Sequence, residues 1–192
     1  CDRLLAEDRP IDVLINNAGA LFNEFAMTSE GIEQSVALLL LSPWRMTERL
    51  LPLLEHHDSP ARVINVVSGG MYTQRLDCDH LIMPEAEYNG AVAYARAKRA
   101  LTVLTELWAA EWRTKRVVVN SMHPGWADTP GVQSALPGFR RITQTVLRSS
   151  EEGADTIVWL ARAREAAEIS GKLLLDREPR TTHLRKNTRE SS

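Results

Sequence analysis

The sequence has few cysteines, no long hydrophobic run and almost no net charge. Its two cysteines, Cys1 and Cys78, are too few for a disulfide framework and are typical of a reducing compartment, so we predict a cytoplasmic location. The longest apolar run, Val36 to Leu41, is too short to span a bilayer, and no signal peptide is visible. A net charge of −2 gives no broad electrostatic basis for binding nucleic acid. These absences favour a globular protein with small-molecule partners.

Metal ligands are also scarce. His56 and His57 are followed by Asp58, but no further ligand is evident near them, so we predict a solvated helix end and no metal site.

Apolar runs alternate with helical periodicity along the chain. The predicted strands are Ile11 to Ile15, Arg62 to Val67, Arg116 to Asn120 and Lys172 to Leu175. Helices are predicted between them, over residues 28–54, 94–113 and 150–168. This order predicts an α/β fold with a parallel sheet and right-handed crossovers. We assign residues 1–175 to one domain and residues 176–192 to a polar tail that we expect to be mobile.

Capping residues and one proline define the predicted helices. Thr28 or Ser29 is expected to cap the helix after the first strand, and Ser150 to cap the last helix. Pro43 has no N–H to donate to the carbonyl of Leu39, which predicts a kink in the first of these helices.

Small and polar residues follow three of the predicted strands. Asn16-Asn17-Ala18-Gly19 follows the first strand, Ser68 the second, and Pro124-Gly125 the third. The carboxyl ends of parallel strands meet at one edge of a sheet, and open α/β sheets bind ligands there. Taken alone, each stretch is more commonly a plain turn, because Asn, Ser, Pro and Gly favour turns.

Tyr94 and Lys98 are four residues apart on a predicted helix, so they share one face. A neighbouring ammonium favours the phenolate and would lower the pKa of Tyr94. A phenol with a lowered pKa can exchange a proton with an alcohol or ketone oxygen. Taken alone, such a pair is more commonly an exposed helix face.

Along the chain, the Asn-Asn-Ala-Gly turn, Ser68, the Tyr94–Lys98 pair and Pro124-Gly125 follow one another. In this order, the four features resemble the short-chain dehydrogenase/reductase family, and the resemblance covers nearly the whole chain. Ser68 and Tyr94 are 26 positions apart, a longer separation that is similar to the retinol-dehydrogenase-like branch. The resemblance implies a Rossmann-like, doubly wound parallel sheet that binds NAD or NADP. It also implies hydride transfer between the nicotinamide and a carbonyl or alcohol carbon of a small molecule.

The resemblance assigns a role to each candidate residue. Ser68 would bind the substrate oxygen, Tyr94 would act as the acid or base, and Lys98 would lower the pKa of Tyr94 and bind the nicotinamide ribose. The residues expected at the cofactor are Asn16, Ala18 and Gly19 on the adenosine side, and Pro124, Gly125 and Thr129 at the nicotinamide end. Since the helix carrying Tyr94 often packs against a second copy in this family, a homo-oligomer is one assembly that we consider.

The chain departs from the family pattern at its N-terminal end. The family opens with a strand and a Gly-rich turn that holds the pyrophosphate, and these residues contain no such turn. We therefore interpret the chain as the C-terminal part of the sheet, a fragment without the N-terminal βαβ units. At about 30 residues per unit, roughly 90 residues would be missing. The strand from Ile11 to Ile15 would then be an exposed edge.

The second departure is Leu39, where the family usually has an Asn whose backbone carbonyl holds a water linked to the lysine. Pro43 frees the same carbonyl, so our hypothesis is that the kink and the water site persist without the Asn. The alternative is a non-catalytic homologue with a binding or scaffold role.

Without the Gly-rich turn, we expect these 192 residues alone to bind dinucleotide weakly or not at all. Titration of the isolated chain with NADPH, followed by fluorescence, measures this directly. Micromolar affinity would contradict the interpretation.

Overall fold

A five-stranded sheet forms the centre of the computed structural model, which describes residues 1–56, 59–125 and 148–184. The strands are β1 (Val13–Asn16), β2 (Ala61–Val66), β3 (Val117–Met122), β4 (Leu173–Leu175) and β5 (Glu178–Arg180). They lie side by side in sequence order; β1 to β4 are parallel, and β5 is antiparallel to β4. The predicted α/β fold with a parallel sheet is confirmed, and β1 is an edge strand with Ile15 40% exposed.

Within the described residues, five α-helices connect or flank these strands. They are α1 (Asp2–Glu7), α2 (Gln34–Val36), α3 (Ser42–Leu54), α4 (Gly90–Glu111) and α5 (Ser150–Arg162). Short 3₁₀ helices occupy Gly69–Thr73, Glu85–Glu87 and Glu165–Glu168. Within the described ranges, no helix combines the length and the apolar character needed to cross a bilayer.

The predicted cap of the helix after β1 is wrong. The helix begins only at Gln34, and the buried carboxylate of Glu33 caps it by accepting hydrogen bonds from the N–H groups of Ser35 and Val36 at 2.8 and 3.0 Å. Thr28 closes a separate turn instead, because its hydroxyl accepts from the N–H of Ile32. The two oxygens of one carboxylate satisfy two free donors of the first turn, which a hydroxyl at this position does not.

Two further helix starts differ from the prediction by a few residues. Ser149, rather than Ser150, caps α5 and forms a capping box with Glu152. Helix α4 begins at Gly90, four residues before Tyr94, because Asn89 accepts from the N–H of Val92. Tyr94 therefore lies in the second turn of a capped helix rather than at its frayed start.

Pro43 coincides with a change of helix type. Residues Ala37–Leu41 form a π-helical turn between α2 and α3, and the N–H of Ser42 bonds to the carbonyl of Ala37. The predicted interruption is present here as a π-helical turn. Such turns are rare and often lie at functional sites. This one places Leu39 inward, with no solvent exposure.

Residues 178–180 correct the predicted limit of the sheet. The sequence assigns them to a tail, but they pair with β4 through Leu173, Leu174 and Leu175. Asp176 and Arg177 make the connection with positive φ angles of 55° and 61°, which allows the chain to reverse between the two strands. Residues 185–192 lie outside the described part of the chain, as do His57 and Asp58.

The sheet is covered on both faces, as the doubly wound arrangement requires. Alternate residues of β2 point to opposite sides. Val63 packs with Trp108 and Trp112 of the α4 region, and Ile64 packs with Leu160 of α5. The two indole rings stack at 5.3 Å. Helices α3 and α4 thus cover one face and α5 covers the other.

Gly90 allows the start of α4 to contact the chain that follows β1. A side-chain carbon at Gly90 would lie 1.9 Å from the carbonyl oxygen of Phe22. The contact is between backbones, so no side chain can move aside to relieve it. Glycine is therefore needed to set the position of α4 relative to the turn after β1.

Candidate active site

The carboxyl ends of β1, β2 and β3 bring the predicted site residues to one edge of the sheet. Asn16 ends β1, Ser68 follows β2 after one residue, and Pro124 follows β3 after one residue. Ser68 has an extended backbone, and its hydroxyl accepts a hydrogen bond from the N–H of Gly70 at 3.2 Å. The side chain thereby caps the 3₁₀ helix that begins at Gly69, which fixes the hydroxyl at the strand end.

Tyr94 is partly buried, and its phenol lies near the side chain of Ser68. Burial raises the pKa of Tyr94 above its ordinary value of 10.0, and the nearby Ser68 side chain only partly opposes this. The expectation of a lowered pKa is therefore wrong. The reason is that a phenolate in this environment loses more hydration than the Ser68 side chain restores.

Lys98 is 3% exposed, and its ammonium donates a hydrogen bond to the backbone carbonyl of Val66 at 2.6 Å. The Nζ atom lies 5.8 Å from the centre of the Tyr94 ring, so the helix does bring the pair together. Burial lowers the pKa of Lys98 to about 8 from 10.5. Because Val66 ends β2 two residues before Ser68, this bond ties α4 to the strand that presents the serine.

Gly19 lies directly against Lys98. A side-chain carbon at Gly19 would be 3.5 Å from Nζ of Lys98 and 3.2 Å from Cδ2 of Leu39. A side-chain carbon there would touch the ammonium at van der Waals distance and would require Leu39 to shift by a few tenths of an ångström, so glycine leaves the space beside Lys98 open. Leu39 supplies an apolar neighbour at the place where the family usually has a polar one, in keeping with the lowered pKa of Lys98.

The side chain of Asn16 points into the protein interior, unlike the exposed residues of the turn that follows it. Its side chain is buried, and Nδ2 donates to Oγ1 of Thr47 at 3.0 Å and to Oδ1 of Asn65 at 2.7 Å. Asn65 in turn donates to Thr105 of α4. The amide nitrogen of Asn16 is thus engaged in joining β1, β2 and two helices, and Ala18 and Gly19 form the exposed part of the turn.

The turn after β3 relies on Gly125. Its φ of +74° is in the left-handed region, and a side-chain carbon there would lie 2.9 Å from Nε of Arg148. Arg148 is held by Asp176 through two hydrogen bonds, of 2.5 and 2.9 Å. Pro124 and Gly125 therefore reach the same edge as Ser68, whereas Thr129 lies outside the described residues.

The sequence singled out no role for His123, which the structure places between two of these turns. It is buried at the end of β3, and its Nδ1 accepts a hydrogen bond from the N–H of Gly125 at 3.3 Å. The sequence feature that could have pointed to His123 is its position, immediately after a buried strand and immediately before Pro-Gly.

The residues present fit the nicotinamide and ribose end of a dinucleotide. Gly19 and Gly125 remove side chains from two strand-end turns, and the buried ammonium of Lys98 lies between Gly19 and Tyr94. These features offer bare backbone and a fixed cation beside a phenol. Over residues 1–56, 59–125 and 148–184, no three His, Cys, Asp or Glu side chains are grouped as metal ligands.

Comparison with known proteins agrees with this geometry. A protein-family model described as Enoyl-(Acyl carrier protein) reductase matches residues 1–179. The chain is 43% identical to human dehydrogenase/reductase SDR family member 12 over 187 residues, covering 97% of this chain and 58% of that protein. It is 30% identical to human retinol dehydrogenase 13 over 178 residues, covering 88% of this chain and 54% of that protein.

A solved structure shows the same fold. The angucycline C-6 ketoreductase LanV with bound NADP matches with a TM-score of 0.65 at 23% identity, over 86% of this chain and 60% of that one. The chain spans between half and three fifths of the length of the curated relatives described above.

The lowered pKa of Lys98 has a consequence for stability. Between pH 8 and 10.5 the unfolded chain holds this proton more firmly than the folded chain, so the free energy of unfolding rises with pH across this window. At about 1.4 kcal/mol per pKa unit, the gain is on the order of 3 kcal/mol. We expect urea denaturation to show this rise in the wild type and not in Lys98→Met.

The matched control is Lys172→Met, because Lys172 is an exposed lysine. Its pH dependence should follow that of the wild type, since Tyr ionisation is common to all three proteins. Parallel curves for the wild type and Lys98→Met would show that Lys98 keeps an ordinary pKa.

Proposed function

Because this chain belongs to the short-chain dehydrogenase/reductase family, whose members are NAD(P)-dependent oxidoreductases, we propose that it carries the proton-handling half of a hydride-transfer site. The substrate would be a small molecule with a carbonyl or alcohol group. The observation that carries the proposal is the contact of Ser68, Tyr94 and Lys98 at the carboxyl edge of the sheet.

In the direction of reduction, Tyr94 is the acid. Its raised pKa keeps the phenol protonated at neutral pH, so a proton is available for the substrate oxygen. A bound nicotinamide would supply a hydride to the carbonyl carbon, and the proton held by Tyr94 would complete the alcohol. The Ser68 side chain lies near the phenol, so a substrate oxygen beside Tyr94 would also lie within reach of the Ser68 hydroxyl, which would donate a second hydrogen bond.

Lys98 has two roles in this scheme. Its ammonium stabilises the phenolate that remains after Tyr94 has given up its proton, because opposite charges attract strongly in a buried site. Its other contacts hold it near the place of the nicotinamide ribose: Val66 accepts one of its hydrogen bonds, and Gly19 leaves room beside Nζ.

The remaining predicted residues form the walls of the cofactor site in this proposal. Ala18 and Gly19 offer exposed backbone after β1, and Asn16 holds that turn through its buried amide. Pro124 and Gly125 form the wall at the nicotinamide end in this proposal, and the role of Thr129 there remains a prediction from the sequence. The choice between NAD and NADP depends on none of these residues.

We further propose that the activity belongs to a longer protein. The chain covers 58% of human SDR family member 12 and contains no Gly-rich turn after a strand for the pyrophosphate. Its 192 residues would supply the proton and the nicotinamide wall, and a preceding segment would supply the pyrophosphate turn. A homo-oligomer and a cytoplasmic location remain predictions from the sequence.

The alternative, a non-catalytic homologue with a binding or scaffold role, is favoured by the substitution at Leu39. The arrangement of the other residues supports the enzyme, because a binding protein has no need to bury a lysine beside a partly buried tyrosine. Burial of such a charge is costly, and shifted pKa values of this kind are typical of active sites.

The test uses the longer protein, assayed with NADPH and NADH against a panel of small aldehydes and ketones. Tyr94→Phe removes only the phenol oxygen, and we expect it to lower kcat by about 10²–10⁴-fold through loss of the acid. Ser68→Ala should lower kcat by about 10²–10³-fold through loss of a donor to the substrate oxygen.

Tyr88→Phe is the matched control, because it removes the same atom from a phenol whose hydrogen-bond partners are Ser35, Phe22 and Glu33 rather than residues of the site. Its kcat should stay near that of the wild type. Wild-type turnover by Tyr94→Phe, or no reduction of any carbonyl with either cofactor, would refute the proposed function.

A further inference from the structure

His123 lies between the turn after β2 and the turn after β3. It is 7% exposed. A side-chain carbon at Gly69 would lie 3.9 Å from Nδ1 and 4.0 Å from Cε1 of the imidazole, so the glycine backbone passes directly beside the ring. On the other side, the N–H of Gly125 donates to Nδ1. The Tyr72 ring packs edge-on against the imidazole at 6.0 Å between centres.

The bond from Gly125 determines the protonation of the ring. Nδ1 can accept a hydrogen bond only when it carries no proton, so the neutral ring holds its proton on Nε2. Protonation of the ring would put a second donor at Nδ1, facing the N–H of Gly125. The contact would then become repulsive, and the turn after β3 would lose its attachment to the ring.

The surroundings favour the neutral ring. Burial lowers the pKa of His123, Arg148 and Arg180 lower it further, and Asp176 opposes them. These groups face the ring from the segment before α5, from β5 and from the turn between β4 and β5. Tyr72, on the 3₁₀ helix, is neutral at the same pH because burial raises its pKa. The ring therefore remains an acceptor at neutral pH and changes state only in acid.

We propose that His123 is a positioning residue that sets the spacing between the Ser68-Gly69 turn and the Pro124-Gly125 turn by accepting a hydrogen bond from Gly125. The inference rests on the proposed function, in which these turns present the substrate donor and the nicotinamide wall. His123 touches neither reacting group itself. Its effect is transmitted through Gly125 to the cofactor side and through Gly69 to Ser68.

Two substitutions of the longer protein separate this role from simple packing. In His123→Asn, Oδ1 takes the place of Nδ1 as an acceptor that does not titrate in acid, whereas His123→Leu keeps apolar volume and removes the acceptor. We expect His123→Leu to raise KM for the nicotinamide cofactor about tenfold, with a smaller change in kcat, because the Gly125 N–H loses its partner.

His123→Asn should keep KM within about threefold of the wild type, since the hydrogen bond from the Gly125 N–H is retained. It should also lose the fall in kcat/KM that ionisation of His123 causes in acid. If His123→Leu has wild-type KM and an unchanged pH profile, the positioning role is refuted. Equal stability losses in both variants with unchanged KM would likewise refute it.

One measurement does not depend on activity. The ¹⁵N–¹H signal of the Gly125 amide should shift on acidification in the wild type and stay constant in His123→Asn. Failure of every carbonyl assay would contradict the proposed function while this titration still reports on the His123–Gly125 bond. A Gly125 signal that is the same in the wild type and in His123→Leu at neutral pH would overturn the inference.

Discussion

The hydrogen bond from the Lys98 ammonium to the Val66 carbonyl is the interaction on which the site depends. It joins α4 to the end of β2, and it keeps a cation in a place that is 3% exposed. Such a charge is costly to bury without a partner. The bond and the close approach of Gly19 therefore fix how α4, the turn after β1 and the turn after β2 meet.

The rest of the edge follows from this arrangement. With α4 held at Val66, Tyr94 is one helical turn away from Lys98 and reaches Ser68. Glycine at position 90 allows the start of the same helix to contact the backbone of Phe22. On the far side of Ser68, His123 continues the line of contacts to Gly125. The site thus consists of the turns that follow β1, β2 and β3, and each turn is positioned by its contact with the next.

Much of this could be predicted from the sequence, because the signals are local. Apolar runs of β-branched residues gave the strands, and the spacing of Tyr94 and Lys98 gave a shared helix face. The parallel order followed from the alternation of strands and helices. What failed depends on features that residue type and spacing do not show. Glu33 caps a helix although Ser, Thr, Asp and Asn are the usual cap residues, and β5 forms because Asp176 and Arg177 adopt positive φ angles.

The direction of the Tyr94 pKa could not be predicted for the same reason. Sequence spacing shows that a cation is near, but it does not show how much water the fold removes from the phenol. Leu39 is a related case. Its side chain lies against Gly19 beside Lys98, so a residue that looked like lost function in the sequence is also part of the environment that lowers the lysine pKa.

The most direct test of this account is the ionisation of Lys98 itself. Selective ¹⁵N labelling of lysine and NMR detection of Nζ, with Lys98→Met to assign the signal, gives its pKa in the folded protein. The account predicts a value of about 8. A pKa of Lys98 near the reference value for lysine, about 10.4, would contradict it.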